Sequence, residues 1–168
     1  MMSAMLPDEL WETVQRSLPI ACVDILLLNR SGDIGLIRRR TPDEGEKWCL
    51  IGGRARRGET LAAGIEREIK DALGDRFRVT DVSALPITVA EYFPDAPVGK
   101  PRDLRKHAIG LTYAATGAGP ISVTGPEALA FQWLRPDELM EEDVGFGQYG
   151  VIMDVLGSAW ADSVAESG

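Results

Sequence analysis

The alternation of apolar and polar stretches predicts a chain of mixed strands and helices. An apolar run at residues 18–28, with Asp24 inside it, predicts a central strand. A polar loop at residues 29–33 separates it from a return strand at residues 34–40. Further strands are predicted at residues 76–80, 83–93, 106–116 and 128–134. Because no repeat or composition break interrupts this order, we expect residues 1–168 to form one domain.

Helical segments are predicted at the start, in the middle and at the end of the chain. The first covers residues 7–16 and begins with Pro and acidic residues. The middle helix has an apolar residue at every fourth position, namely Leu61, Ile65, Ile69 and Leu73. A short helix is predicted at residues 136–140 and an amphipathic one at residues 149–160. We expect residues 1–6 and about 161–168 to be disordered.

The stretch from Trp48 to Gly74 combines a short strand, a Gly-Gly turn, a basic loop and a helix. Gly52 and Gly53 are expected to allow a positive φ and a close approach of the backbone to a ligand. Thr60 or Glu59 is expected near the helix N-cap. The basic loop contains three arginines, Arg54, Arg56 and Arg57. The sequence therefore places several cations between the turn and the start of the helix.

Two acidic residues in the helix are spaced to share one face. Glu68 and Asp71 lie three positions apart, which brings their side chains together on a helix surface. Carboxylate oxygens are the ligands that hard divalent cations prefer, and arginine binds phosphate oxygens in a fork geometry. The helix and the basic loop together therefore predict a site for a divalent cation and a diphosphate.

A longer pattern links these residues to a known family. It reads Gly, five residues, Glu, seven residues, Arg-Glu and an apolar residue, and it is met by Gly53, Glu59, Arg67, Glu68 and Ile69. This pattern resembles the Nudix box of the Nudix hydrolases, which cleave a nucleoside diphosphate linked to another group and use magnesium. The resemblance implies an α/β (α+β) fold, a three-layer α/β/α sandwich with a mixed sheet, and the predicted order of elements fits this fold.

The box of this chain is degenerate, and one of its departures is Asp75, where the family has a final apolar residue. Asp71 and Ala72 stand where the family has two adjacent Glu residues, of which the second is usually a direct metal ligand. The resemblance implies that Glu68, Asp71 and the carbonyl oxygen of Gly53 hold Mg²⁺, with Mn²⁺ as a substitute. For Asp71, a ligand through water and a surface acid are the alternatives to a direct ligand. The missing carboxylate at Ala72 also motivates a second hypothesis, a Nudix-fold nucleotide-binding or regulatory module with impaired catalysis.

Further roles follow from the same resemblance. Glu59 is expected to order the loop or the outer shell of the metal, with simple helix capping as the alternative. Arg67 is expected to brace the loop by pairing with Glu59. Glu127, in the loop before the last strand, is a candidate general base, with a surface acid as the alternative. Arg54 is expected to assist catalysis together with Glu68.

One branch of the family, the GDP-mannose mannosyl hydrolases and their sugar-nucleotide relatives, is similar to a larger part of this chain. The matching residues are Arg16, Ser17, Leu18, Pro19, Asp24, Arg40, Thr41, Trp48, Gly52, Gly53, Arg54 and His107. The resemblance implies that Arg40 and Arg54 hold the diphosphate. Tyr92, His107 and Asp24 would contact the rest of the substrate. Water would attack either phosphorus or the anomeric carbon of the sugar.

Composition and charge limit the kinds of molecule that this protein is expected to bind. The chain has 168 residues, 45% of them hydrophobic, and a formal net charge of −8, which argues against nucleic acids and anionic membranes as partners. Two basic islands, at residues 38–40 and 54–57, instead suit a small anionic ligand. Cys22 and Cys49 lie in apolar runs and are expected to be buried free thiols. With no apparent signal peptide or membrane span, we expect a cytoplasmic protein, and the family implies a homodimer.

Overall fold

The structure, a computed structural model, describes residues 6–167 of the chain. Residues 1–5, for which the sequence predicted disorder, lie outside the described residues. The helices are α1 Asp8–Ser17, α2 Leu61–Leu73, α3 Tyr149–Leu156 and α4 Ala159–Glu166. The strands are β1 Ile20–Leu28, β2 Ile34–Thr41, β3 Gly45–Cys49, β4 Ile51–Arg54, β5 Arg78–Val82, β6 Thr88–Tyr92, β7 Ala108–Ala118 and β8 Ala130–Leu134. None of the helices within residues 6–167 has the length and the apolar composition that a membrane span requires.

All eight strands belong to one mixed sheet. Its centre is the parallel pair of β1 and β7, which matches Ile20 with Ala108 and continues to Leu27 with Ala115. On one side of this pair, β2 and β4 run antiparallel to β1, and β3 and β8 pair with β2. On the other side, β5 and β6 run antiparallel to β7. Both parallel and antiparallel pairs are therefore present, as the sequence predicted.

Helices cover both faces of the sheet and produce two apolar clusters. Because successive strand residues point to opposite faces, Val23 and Ile25 of β1 face α2, whereas Cys22 and Leu26 face α3. Side chains of α1 and α4 pack at the edge of the α3 cluster, with Trp11 among them. The predicted three-layer α/β/α arrangement is confirmed, and both cysteines are free and buried.

The middle helix forms largely as its pattern predicts. The Thr60 side chain caps α2 by accepting a hydrogen bond from the Ala63 amide at 3.1 Å, and Gly58 before it has φ +81°. Ile65 is buried on the sheet, whereas Leu61, in the first turn, remains 37% exposed. The cap and the apolar stripe thus fix which face of α2 meets β4.

Several segments differ from the prediction, and one of them is the helix expected at residues 149–160, which is divided into α3 and α4. Residues 41–47 were expected to form a loop, but β3 already begins at Gly45. Gly52 and Gly53 do not form a turn with positive φ, because both lie in β4 and pair with β1. The expected disordered end after residue 160 instead contains most of α4, whose N-terminus is capped by the side chain of Ser158.

Candidate active site

A cleft of about 1030 Å³ opens where β2 separates from β1. The two strands pair at Leu27 with Gly35 and at Leu28 with Ile34, after which β4 takes the place of β2 beside β1. Residues of β1, β2, β4 and α2 therefore line a common space, together with the loops before β7 and β8. Its volume is at the upper end of the range of about 300–1,000 Å³ for small-molecule pockets.

The carboxylate of Glu68 lies against the backbone of Gly53 on one side of this cleft. A Cβ atom placed on Gly53 would come within 2.8 Å of Glu68 Cδ, and closer still to Glu68 Oε1. A larger residue at position 53 would therefore force the Glu68 carboxylate to shift, and glycine is favoured here by close approach and not by backbone conformation. The arrangement places the Glu68 carboxylate beside the backbone at the end of β4, where Arg54 begins the basic loop.

Arg67 connects the carboxylates with the basic loop. Its Nε donates to Glu59 Oε1 at 2.6 Å and its Nη2 donates to Glu59 Oε2 at 2.9 Å and to the Arg54 carbonyl oxygen at 3.1 Å. A further contact joins Nη1 to Glu68. Glu59 also accepts a hydrogen bond from the Arg56 amide at 3.1 Å. The hydrogen bond from Arg67 lowers the pKa of Glu59, so this network favours a charged pair.

Three carboxylates, those of Glu68, Asp71 and Glu127, line this end of the cleft. Burial raises the pKa of Glu68, and the charges of Glu127 and Asp71 raise it further, against the opposing contact with Arg67. Asp71 and Glu127 both line the cleft, and Glu127 is 69% exposed. Ala72, whose place a Glu occupies in the family, is buried at the cleft wall.

These residues fit a magnesium ion that is bound together with its substrate. Within residues 6–167, no group of three or more His, Cys, Asp or Glu side chains is arranged to hold a metal ion. Magnesium, however, is commonly bound through one or two carboxylates, several waters and the phosphates of the substrate. Glu68, Asp71 and Glu127 all line the cleft, so their carboxylate oxygens are available to a cation there.

The arginines of the basic loop do not share one environment. Arg54 lies over the indole ring of Trp11 in α1, with Cζ 4.2 Å from the ring centroid, and both residues line the cleft. Arg56 lines the cleft as well, whereas Arg57 is exposed outside it. The first helix thus holds Arg54 at the entrance of the cleft.

Asp24 occupies the floor of the cleft between two glycines. A Cβ atom on Gly52 would meet Asp24 Oδ1, and one on Gly110 would lie 2.5 Å from Asp24 Oδ2. Burial raises the pKa of Asp24 from 3.8 to about 7, although the charges of Arg39 and Lys106 oppose this rise. Two strands therefore carry glycine where a neighbouring side chain would displace this carboxylate.

The predicted role of Arg40 in substrate binding is not matched by the structure. Arg40 is 79% exposed and lies 3.6 Å from Glu46 on the surface of the β2–β3 pair. Arg39, its neighbour, lines the cleft instead. Because side chains alternate along a strand, only one of two consecutive arginines can face the site.

Tyr92 and His107, which were also predicted to contact the substrate, differ in their position relative to the cleft. Tyr92 is buried and lines the cleft, where its Oη lies 3.5 Å from Gln148 Nε2. His107 does not line the cleft, because its ring stacks on Phe93 at 4.4 Å and its Nε2 is 3.6 Å from Glu91. The predicted contact between His107 and the substrate is therefore not supported by its position.

Several other cleft residues were not predicted from the sequence, and they lie on loops distant in the chain from the Nudix box. Asp103, Arg105 and Lys106 line the cleft from the long loop before β7. Phe146 joins them from the turn at residues 145–147, with the guanidinium carbon atoms of Arg39 and Arg105 at 5.2 and 5.6 Å from its ring centroid.

The turn that carries Phe146 is strained. Phe146 has φ 56°, a left-handed conformation that costs a non-glycine residue about 1–3 kcal/mol. Its carbonyl oxygen accepts a hydrogen bond from the Arg102 amide at 3.0 Å, which ties the turn to the long loop. The glycines at positions 145 and 147 were the signal in the sequence that could have indicated this turn.

Comparison with known proteins gives a family assignment. Residues 2–161 match a family model described as Domain of unknown function (DUF4916). The chain belongs to the DUF4916 family. The match covers almost the whole chain. The description of the family states no activity, so the function of this DUF4916 protein is inferred from its fold, its site and its relatives.

Three proteins illustrate what the DUF4916 chain is similar to. A structure from Jonesia denitrificans, described as a possible asymmetric diadenosine tetraphosphate hydrolase, is 29% identical, has a TM-score of 0.71 and aligns over 88% of this chain and 98% of its own. A MutT Nudix hydrolase from Burkholderia pseudomallei is 22% identical, with a TM-score of 0.61 over 89% and 98% of the two chains. The nucleoside triphosphatase NudI of Escherichia coli is 24% identical over 98 residues, which are 58% of this chain and 68% of NudI.

These relatives confirm two predictions made from the sequence. The DUF4916 chain has the Nudix fold, and its neighbours are Nudix hydrolases, the enzyme class that the box indicated. The relatives differ in the nucleotides that their names state. Their names therefore do not identify a ligand for this chain.

Proposed function

We propose that this protein is a magnesium-dependent Nudix hydrolase that cleaves a nucleoside diphosphate linked to another group, with a nucleotide sugar such as GDP-mannose as the leading substrate. The observation that carries the proposal is the position of Glu68, whose carboxylate lies against Gly53 in the wall of the cleft and contacts Arg67. The acidic face of α2 and the basic loop thus line the same cleft, as binding of a cation and a diphosphate requires.

Each residue at this end of the cleft has a chemical part in the proposed reaction. Glu68, with Asp71 and the Gly53 carbonyl oxygen, would hold a magnesium ion, which when bound neutralises charge on the diphosphate. Arg54 binds phosphate oxygens of the substrate from the entrance of the cleft. Glu127 accepts the proton of the attacking water. Arg67 and Glu59 hold Glu68 and the loop in position.

The other end of the cleft suits the group linked to the diphosphate. Asp24 and Tyr92 line it and supply a carboxyl group and a phenol that can hydrogen-bond to sugar hydroxyls. The water attacks phosphorus or the anomeric carbon, and the two routes place the new oxygen on different products. Hydrolysis in water enriched in heavy oxygen distinguishes them, because the label enters a phosphate in the first route and the sugar in the second.

One experiment tests the proposal directly. Purified protein is incubated with GDP-mannose, ADP-ribose and GDP, each with and without magnesium, while thermal shift and product release are measured. We expect a magnesium-dependent rise in melting temperature and release of product from at least one compound, since a bound ligand stabilises the folded state. Absence of product from a broad panel of nucleoside diphosphate derivatives would exclude the proposed activity.

Ala72 favours a second candidate function, a nucleotide-binding or regulatory module with impaired catalysis. Ala72 is buried at the cleft wall, and the described residues contain no cluster of three metal-ligating side chains. Under this candidate, the parent protein binds nucleotides without hydrolysing them, and the substitution Ala72→Glu creates activity. Under the first candidate, the parent is active and Ala72→Glu changes an existing rate.

We further propose a homodimer formed through α1 and the following strand. Leu10 and Leu18, at this part of the chain, expose 48% and 60% of their surface, which leaves apolar area for a second copy. Light scattering of the purified protein tests this, with twice the monomer mass expected. A monomer over the whole concentration range would exclude the dimer.

A further inference from the structure

A second set of cations lines the cleft on both sides of Asp24. Arg39 enters from β2 and Lys106 from the loop before β7, and the charges of both act on the Asp24 carboxyl group. Neither residue belongs to the basic loop after β4, which contributes Arg54 and Arg56 to the cleft. We call Arg39 and Lys106 the second cation pair.

Lys106 is a poorly compensated charge. Its side chain is only 14% exposed, and its Nζ is 3.8 Å from Asp103 Oδ2, beyond hydrogen-bonding distance. Asp103 is engaged elsewhere, because its two oxygens accept hydrogen bonds from Arg105 Nε at 2.9 Å and Nη2 at 2.8 Å. Among the hydrogen bonds of residues 6–167, none involves the Lys106 ammonium group. Because Nζ is not among the buried atoms that lack a partner, it keeps contact with solvent and can donate hydrogen bonds to a ligand in the cleft.

Arg39 is similar. Its side chain is 15% exposed, and its Nη2 lies 3.4 Å from Glu127 Oε2, a long contact with an acid that is itself largely exposed. Its Nε is buried and has no hydrogen-bond partner within the described part of the chain. The ring of Phe146 lies below the guanidinium group and holds its plane within the cleft. Both members of the pair thus line the cleft and have hydrogen-bond donors without a protein partner among the described residues.

We propose that Arg39 and Lys106 form a second anion-binding subsite, which receives a carboxylate or phosphate on the group linked to the nucleoside diphosphate. This inference rests on the proposed function, because it assigns the diphosphate itself to the basic loop and the acidic face of α2. A neutral linked group, such as an ordinary sugar, would offer no charged acceptor to the donors that both side chains still have available. The preferred substrate therefore carries an additional negative charge beyond the diphosphate.

The test compares substrates that differ by one anionic group. GDP-mannuronate and GDP-mannose differ by a carboxylate, and GTP and GDP differ by a phosphate, so that the two pairs separate the two sources of charge. We expect the wild-type protein to favour at least one charged member by roughly tenfold or more in kcat/KM, as a hydrogen bond between charged groups predicts. The substitution Lys106→Gln should reduce this preference to about threefold or less.

Two further variants control for effects on folding. Lys106→Arg keeps the charge and should retain most of the preference. Lys100→Gln removes an exposed lysine from the same loop, outside the cleft, and should leave the preference at the wild-type value. A wild-type protein that hydrolyses charged and neutral members equally overturns the subsite while the proposed function stands.

A binding measurement covers the case in which no compound is hydrolysed. Calorimetric titration with the same four nucleotides in magnesium determines whether the charged members bind more tightly and whether Lys106→Gln removes the difference. Selective binding without turnover supports the subsite and excludes the proposed hydrolase. Absence of binding by all four nucleotides overturns both.

Discussion

The Glu68 carboxylate occupies the space that a side chain at position 53 would need. The substitution Gly53→Ala should therefore displace Glu68 and reduce kcat/KM by about 100-fold, since a catalytic group misplaced by about 1 Å costs this much. Steady-state kinetics with a substrate from the nucleotide panel measures the effect.

A second glycine provides the control for this substitution. Gly150 lies within α3, and a Cβ atom placed there would meet nothing within 4 Å. Gly150→Ala should raise the free energy of unfolding by about 0.5–1 kcal/mol and leave kcat/KM unchanged. Full activity in Gly53→Ala would show that the position of Glu68 does not matter for catalysis.

The link between Arg67 and Glu59 should contribute more to stability than ion pairs on the surface. Both side chains are largely buried, and two hydrogen bonds join them. Glu59→Gln should lower the free energy of unfolding by about 2 kcal/mol, because Arg67 keeps its charge but loses its main acceptor. Urea denaturation at neutral pH measures the change.

The exposed pair of Arg135 and Glu138 is the matched comparison. These side chains are 61% and 57% exposed, so Glu138→Gln should leave the urea midpoint nearly unchanged. Equal effects of Glu59→Gln and Glu138→Gln would contradict the structural importance of the link at the active site.

The raised pKa of Asp24 predicts a pH dependence of stability. The pKa of Asp24 is 3.8 in the unfolded chain and about 7 in the folded protein. At pH values between these two, the folded protein therefore binds the Asp24 proton more tightly than the unfolded chain does. This group's contribution to stability is therefore complete below about pH 4 and falls as the pH rises to about 7. Its maximum is about 4 kcal/mol, because one pKa unit corresponds to about 1.4 kcal/mol.

The substitution Asp24→Asn removes this titration. Compared with the wild type, the variant should gain free energy of unfolding progressively between about pH 4 and pH 7 and show a constant difference above that range. Chemical denaturation at several pH values measures the difference, and Asp95→Asn, an exposed acid outside the cleft, is the control. A difference between wild type and Asp24→Asn that does not change with pH would contradict the raised pKa.

Local sequence patterns predicted most of the fold and one end of the cleft. The apolar stripe of α2 and the cap at Thr60 are determined by neighbours within one or two turns, so periodicity finds them. Glu68 and Arg67 were found because their spacing matches a long motif. The break between α3 and α4 was missed, although Gly157 and Ser158 are typical of a helix end followed by a new N-cap.

The rest of the cleft depends on contacts between distant segments. Lys106 reaches the site because the loop before β7 is fixed by the turn around Phe146, about forty residues further along the chain. No local pattern encodes such a contact. For β2, alternation shows that Arg39 and Arg40 face opposite sides, but Leu36 and Ile37 are both buried, so only the structure shows that Arg39 faces the cleft with Ile37.

That alternation supplies a test with two adjacent residues of the same type. Arg39→Gln removes a cleft-facing charge and should reduce kcat/KM by roughly tenfold or more, since a charged hydrogen-bond donor to an anionic substrate is lost. Arg40→Gln removes an exposed charge that pairs with Glu46 and should change kcat/KM by less than about twofold. Circular dichroism of both variants verifies that β2 remains folded. A larger loss in Arg40→Gln than in Arg39→Gln would mean that β2 presents the opposite face to the cleft, and with it the assignment of Arg39 to the second cation pair would fail.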